Sequence, residues 1–169
     1  IVSAGGTGGH IYPALAIIEE FKKQEKDLEV LYIGTHNRME KDIIPEHGIK
    51  YEPITIYGFS KTMIKRDIKN IGYIVSSYNK CINIMKEFKP DVVIGVGGYV
   101  TFPVIMAAKK MHIKTVIHEQ NSVPGKANKF LSASVDLILT SFKDSNKYFK
   151  NKHVVYTGNP SGDNVKNLK

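Results

Sequence analysis

The sequence predicts a doubly wound, Rossmann-like parallel sheet of the α/β class. Three observations carry that prediction. Short runs rich in β-branched residues alternate with helical patterns along the chain, which is the rhythm of strand–helix–strand units. Several of those runs, such as DVVIG at 91–95 and VDLILT at 135–140, are apolar at most positions, as strands are when helices cover both faces of a sheet. Two of the strands run directly into glycine-rich turns that open helices, and ligands bind at the carboxyl edge of such sheets.

The elements follow in order. Ile1-Val2-Ser3-Ala4 reads as the end of a buried strand, with Gly5-Gly6-Thr7-Gly8-Gly9-His10 immediately after it. Residues 11–21 are apolar on most sides and then charged, a helix packed on the sheet. Pro13 stands near its first turn, where a missing N–H does no harm. Residues 29–34 (EVLYIG) form a second strand stopped by glycine, 38–46 a short helix ended by His47-Gly48, and 49–56 an alternating strand. Residues 60–88 form a long helix or a helix pair. Ile64, Ile68, Ile71, Val75, Tyr78, Ile82 and Met85 step by four and three and make one apolar face, with Gly72 as a weak point. After the strand at 91–95, Val96-Gly97-Gly98-Tyr99 opens another helix. The chain continues with a strand at 114–118, a helix at 124–132, a strand at 135–140, a helix at 143–149 and a last strand at 153–157.

Composition narrows the function. With 169 residues the chain is one domain of 1–160, followed by a polar stretch at 161–169 that breaks the strand–helix rhythm. It is 42% apolar and 24% charged, which excludes wholesale disorder. No apolar run has the length of a membrane span, and no secretory leader is visible. The single cysteine, Cys81, cannot form an internal disulfide, and no Cys/His cluster has zinc spacing. A reducing, cytosolic setting fits. The net charge is +8, and 22 of the 24 basic residues are lysine. A lysine surface attracts anions diffusely, whereas readers of bases favour arginine and aromatic platforms. The expectation is therefore no nucleic-acid partner.

The glycine turns fit no common nucleotide motif. From Gly6 the chain reads G-T-G-G-H-I, with Ile11 where a dinucleotide fingerprint needs its last glycine. The one Gly-Lys pair, Gly125-Lys126, is followed by Ala127 and not by Ser or Thr. No G-x-S-x-G elbow occurs. Glycine still lets backbone approach a phosphate, and a helix N-terminus favours an anion. The two turns, with His118-Glu119-Gln120-Asn121 at the end of a third strand, suggest a ligand with two phosphates or two ligands.

These segments, in this order, resemble the MurG family. The resemblance rests on Gly5-Gly6-Thr7-Gly8-Gly9-His10 with Pro13-Ala14, Gly95-Val96-Gly97-Gly98-Tyr99-Val100, His118-Glu119-Gln120-Asn121 and Gly158-Asn159-Pro160. Ile33-Gly34-Thr35 with Arg38-Met39-Glu40, and Lys89-Pro90-Asp91-Val92-Val93, fit as well. That family transfers N-acetylglucosamine from UDP-N-acetylglucosamine to lipid I (undecaprenyl-pyrophosphoryl-MurNAc-pentapeptide), forming lipid II for peptidoglycan. The resemblance implies a GT-B transferase, in which two Rossmann-like domains enclose the active site. This chain looks like the N-terminal, acceptor-side domain, with the C-terminal donor-side GT-B domain missing. The isolated domain is expected to be inactive. The family's arginine after Asn-Pro is absent from Pro160-Ser161-Gly162-Asp163, so Ser161-Gly162 reads as a spliced linker and 163–169 as a short C-terminal segment.

The resemblance also implies roles. Transfer is inverting, needs no cofactor and calls on no metal. His10, at the turn–helix junction, is the candidate base, with Glu119 as runner-up. Thr7, Gly8 and Gly9 offer backbone donors to substrate. Gly97, Gly98 and Tyr99 form a second cradle, and Asn121 bonds the donor sugar. His118 supports the strand end, and Cys81 is core. A polyprenyl acceptor places the enzyme peripherally on the cytoplasmic face of the plasma membrane. From 60 to 89, Lys61, Lys65, Arg66, Lys69, Lys80, Lys86 and Lys89 oppose only Asp67 and Glu87, beside Tyr57, Phe59, Met63 and Ile64. That mixture suits an anionic bilayer surface. The alternative is a standalone membrane-recruiting subunit of a split GT-B transferase, which would need a separate donor-binding chain.

Overall fold

The computed structural model describes residues 1–58, 64–149 and 153–162, and side chains at 64–69 fall outside the description. The part of the basic apolar segment at 59–63, the side chains of 64–69 and the tail at 163–169 therefore lie outside the described residues. Seven parallel strands form one sheet in the order β3-β2-β1-β4-β5-β6-β7. They are β1 (Val2–Ala4), β2 (Leu31–Thr35), β3 (Lys50–Ile54), β4 (Val92–Gly97), β5 (Lys114–Glu119), β6 (Leu137–Thr140) and β7 (Val154–Tyr156). The order reverses between β1 and β4, which opens a crevice at their carboxyl ends.

Helices cover both faces. On one side α1 (Gly8–Gln24) and α2 (Glu40–Glu46) bury Ile11, Leu15, Ile18 and Ile44 against Val2, Tyr32, Ile94 and Val96. On the other, α3 (Ile64–Phe88), α4 (Thr101–Lys110) and α5 (Lys126–Leu131) bury Cys81, Met85, Val104, Ile105 and Leu131 against Ile33, Val93, Ile117 and Ile138. This explains the unbroken apolar runs. All five residues of β2 are buried.

Three features differ from expectation. The α1 helix starts at Gly8, so Pro13 sits in its second turn and leaves the Gly9 carbonyl without its helical donor. The segment Lys143–Phe149 is a 3₁₀ helix, held by bonds such as Ser145 N–H to the Phe142 carbonyl.

The buried face of α3, a single helix through Gly72, is the expected one in its second half, where Tyr78, Ile82 and Met85 pack on the core, and departs from it in the first. Ile71 and Val75 are 56% and 55% exposed, whereas Asn70, Ser77 and Cys81 are buried. Polar contacts set the buried stripe in that first half. The Asn70 carboxamide accepts from Tyr57 N–H at 2.9 Å and donates to the Tyr57 carbonyl, and Ser77 Oγ donates to the Thr55 carbonyl at 2.9 Å. Those bonds satisfy the strand tail leaving β3, whose polar backbone would otherwise be buried without partners.

Candidate active site

The two glycine turns lie on one rim of the sheet and touch. Between β1 and β4 the register slips, so that Ser3 pairs with Gly95 but Ala4 pairs with Gly97. The extra residue, Val96, pushes Gly97 toward the first turn. Gly5 N–H donates to the Gly97 carbonyl at 3.2 Å. Gly97 and Gly98 have φ of +112° and +87°. A Cβ on Gly97 would collide with the His10 imidazole, and one on Gly98 with the Gly5 carbonyl. Only glycine at both positions allows this approach.

The first turn is held from beneath by Glu40. Its carboxylate is fully buried. One oxygen accepts Thr35 N–H at 3.1 Å and Thr35 Oγ1–H at 2.6 Å, and the other accepts Gly6 N–H at 3.3 Å. Gly5 and Gly6 thus spend their donors inside the protein. The open donors begin one turn later. His10 and Ile11 N–H return to the Thr7 carbonyl, while Gly8 and Gly9 lie in the first turn of α1, where N–H groups have no helical partner. Thr7 adds a side-chain bond, Oγ1 to His10 Nδ1 at 3.2 Å.

His10 is half-buried beside Gly97. Burial lowers its pKa, and the charge of Glu119, the Gly5 carbonyl and the charge of Glu40 counter part of that shift. The ring is consequently neutral at pH 7, the state a proton acceptor needs.

Glu119 is bound on both oxygens. Oε1 accepts Asn121 N–H at 2.9 Å and Asn121 Nδ2–H at 3.0 Å. Oε2 accepts Gly125 N–H at 3.0 Å and Asn128 Nδ2–H at 2.9 Å. The loop after β5 is wound around this carboxylate, which orients the exposed Asn121. His118 is buried, with Nε2 3.4 Å from Ser141 Oγ and 3.5 Å from the Gly158 carbonyl. It ties Gly158 to the end of β5, and burial lowers its pKa.

A cavity of about 620 Å³ opens beside these groups. Its polar lining includes His10, Gly97, Gly98, Glu119, Lys126 and Asn128, and its apolar lining Ile56, Ile74, Phe102 and Phe130. Tyr99 also lines it, with its ring near Gly6 and Gly58. The Tyr99 hydroxyl and Asn128 Oδ1 are buried there without a hydrogen-bond partner. Every residue given a catalytic or substrate-binding role from the sequence stands on this rim. Thr7, Gly8, Gly9, His10, Gly97, Gly98 and Tyr99 belong to the paired turns, and Glu119 and Asn121 to the neighbouring strand end. Sequence reasoning quoted Glu40 and Gln120 only as members of motifs, without a role, and did not single out Asn128. Gln120 Nε2 donates to the Val96 carbonyl and pins the register slip. The signal for Glu40 was an acid following a strand's glycine, Gly34. Among the described residues no group of three or more His, Cys, Asp or Glu is placed to hold a metal ion.

Comparison with known proteins decides the family. Residues 1–140 match the glycosyltransferase family 28 N-terminal domain. The chain belongs to that family. A relative from Halalkalibacterium halodurans, named UDP-N-acetylglucosamine--N-acetylmuramyl-(pentapeptide) pyrophosphoryl-undecaprenol N-acetylglucosamine transferase, is 50% identical over 165 residues. The match takes in 98% of this chain and 46% of the relative. A protein of the same name from Pediococcus pentosaceus is 49% identical, over 100% of this chain and 47% of its own. The chain thus spans about half the length of the curated relatives it matches. Among solved structures, Acinetobacter baumannii MurG superposes with a TM-score of 0.80 at 29% identity, covering 94% of this chain and 45% of that one. A UDP-N-acetylglucosamine 2-epimerase from Neisseria meningitidis shares the fold, with a TM-score of 0.68 at 18% identity over 98% of this chain and 48% of that one. In this family 28 domain the paired glycine turns occupy the switch point of the sheet, and no helix among the described residues is long and apolar enough to cross a membrane.

Proposed function

We propose that this chain is the acceptor-side half of an inverting transferase. The enzyme would move N-acetylglucosamine from UDP-N-acetylglucosamine to the C4 hydroxyl of the MurNAc unit of a polyprenyl-pyrophosphoryl acceptor, giving lipid II for peptidoglycan. The observation that carries this reading is the half-buried His10 imidazole, seated on Gly97 where the two glycine turns meet beside the cavity. His10 takes the proton of the C4 hydroxyl as that oxygen attacks the anomeric carbon, and the bond to UDP breaks with inversion. The nearby carboxylates of Glu40 and Glu119 favour the resulting imidazolium. Glu119, with both oxygens already accepting N–H groups, positions Asn121 for the donor sugar. Gly8 and Gly9 amides receive phosphate oxygens. The second GT-B domain supplies the remaining donor contacts.

Titration of a soluble lipid I analogue and of UDP-N-acetylglucosamine into this chain tests the reading. Measurable acceptor binding and very weak donor binding are expected. Tight donor binding would mean that the two halves are misassigned. The enzyme works peripherally at the cytoplasmic face of the membrane, with the net charge of +8 drawing it to anionic lipid. Co-sedimentation with anionic vesicles should exceed that with neutral ones, and equal binding to both removes the electrostatic attraction.

A further inference from the structure

The cavity has more apolar wall than a sugar needs. Phe102 of α4 and Phe130 of α5 meet edge to face, with centroids 5.4 Å apart and an interplanar angle of 64°. Both line the cavity, yet Phe130 is 64% exposed. An aromatic pair left open to solvent at the lip of a cavity is a surface awaiting an apolar group. Lys126, one turn before Phe130 on α5, lines the same space and supplies positive charge. The buried, unpartnered Tyr99 hydroxyl and Asn128 Oδ1 add polar groups with hydrogen-bonding capacity to spare. Together these lining groups fit an amphiphile with an anionic, oxygen-rich head and a branched apolar tail.

From this geometry we infer that the cavity holds the pyrophosphate-proximal isoprene units of the acceptor, and that the lipid leaves the protein across the Phe102–Phe130 pair. The inference rests on the acceptor-side reading above and adds the path of the lipid. A volume of about 620 Å³ suits a drug-sized ligand. It therefore takes the head and the nearest isoprene units, and the rest of a long polyprenyl chain stays in the bilayer. The competing path runs along α3, where Ile71 and Val75 are exposed. Of the described α3 side chains, Ile74 lines the cavity and Ile71 and Val75 do not, so variants at Ile71 and Val75 distinguish that path from the Phe102–Phe130 lip.

Calorimetric titration of this chain with farnesyl pyrophosphate, kept below its micellar concentration, and with inorganic pyrophosphate tests the inference. Farnesyl pyrophosphate should bind at least about tenfold more tightly, because the tail buries apolar surface that pyrophosphate lacks. Phe130→Ser, which removes the more exposed ring of the pair, should remove most of that advantage and leave pyrophosphate affinity unchanged. Lys126→Gln should weaken both ligands alike, and Ile71→Ser with Val75→Ser should change neither. Equal affinity for the two ligands, or loss of farnesyl binding in the α3 variant and not in Phe130→Ser, overturns the lipid path. If the lipid I analogue still binds in that case, the acceptor-side reading survives. If neither pyrophosphate ligand nor the analogue binds, both fall.

Discussion

Glu40 shows how much of the site rests on one side chain that touches no substrate. Its two oxygens accept three hydrogen bonds, from Thr35 N–H, Thr35 Oγ1–H and Gly6 N–H. A carboxylate suits this because it accepts at both ends. A carboxamide cannot, since whichever way it is placed its NH2 faces an N–H donor. Glu40→Gln should therefore cost about 2–3 kcal/mol, the penalty for stranding a buried donor beside a formerly charged acceptor. Urea denaturation measures it, and a loss below about 0.5 kcal/mol, the range of an ordinary surface change, contradicts the account. Cys81 is the opposite case, a chemically capable group with nothing to do. Burial pushes its thiol up to about 12, so almost no thiolate exists at neutral pH. A disulfide reagent should leave it unmodified in the native protein and react on unfolding. Rapid native labelling would show that the α3–α4 packing opens.

Among the elements, what the sequence made legible was whatever depends on apolar runs and glycine. Strands β2, β4 and β5 and the glycine turns that follow β1 and β4 could be read because a strand covered on both faces is apolar throughout. The exposure of Ile71 and Val75 in the first half of α3 could not be read, because the buried stripe there is partly polar. Asn70 and Ser77 pair with backbone far away in sequence, and no local pattern records such partners. The contact between the turns was hidden for a related reason, as it depends on a register slip between strands about ninety residues apart. Two glycines make the distinction testable. Gly72 lies exposed in the middle of α3 with nothing within 4 Å of an added Cβ. Gly72→Ala should raise stability by about 0.5–1 kcal/mol through helix propensity. Gly98→Ala combines a left-handed backbone with a collision against the Gly5 carbonyl, and should cost more than about 1–2 kcal/mol. Matched chemical denaturation of the two variants should shift in opposite directions, and a neutral Gly98→Ala would mean that the turns are not in contact.

At the scale of the whole molecule, the buried histidines link the site to stability through pH. Both His10 and His118 have pKa values below the ordinary 6.5, with burial as the main cause. Above 6.5 each ring is neutral whether the chain is folded or not, and neither contributes a pH dependence. As pH falls below 6.5, the unfolded chain takes up protons that the folded chain still refuses, so the unfolded state gains. Stability should decline as pH falls from 8, first because the unfolded chain protonates the Ile1 amino group while burial holds its folded pKa at about 6, and further below 6.5 through the two histidines. Asp136, lowered chiefly by its bonds from Thr115, acts in a separate window. Its contribution is present above the usual carboxylate pKa of 3.8 and is lost only in stronger acid. Melting temperatures between pH 5 and 8 separate the two windows, because the histidines and the buried Ile1 amino group, lowered to about 6, titrate there and Asp136 does not. Below pH 6.5, His118→Gln should flatten the slope whatever it does to the absolute stability, because it removes one of the groups that resist protonation. His10→Gln should remove the other histidine's part, and it also removes the proton acceptor of the proposed transfer. A wild-type curve that stays level down to pH 5 would show that His10 and His118 accept protons without strain in the fold, and that His10 is not the desolvated, neutral imidazole on which the transfer chemistry depends.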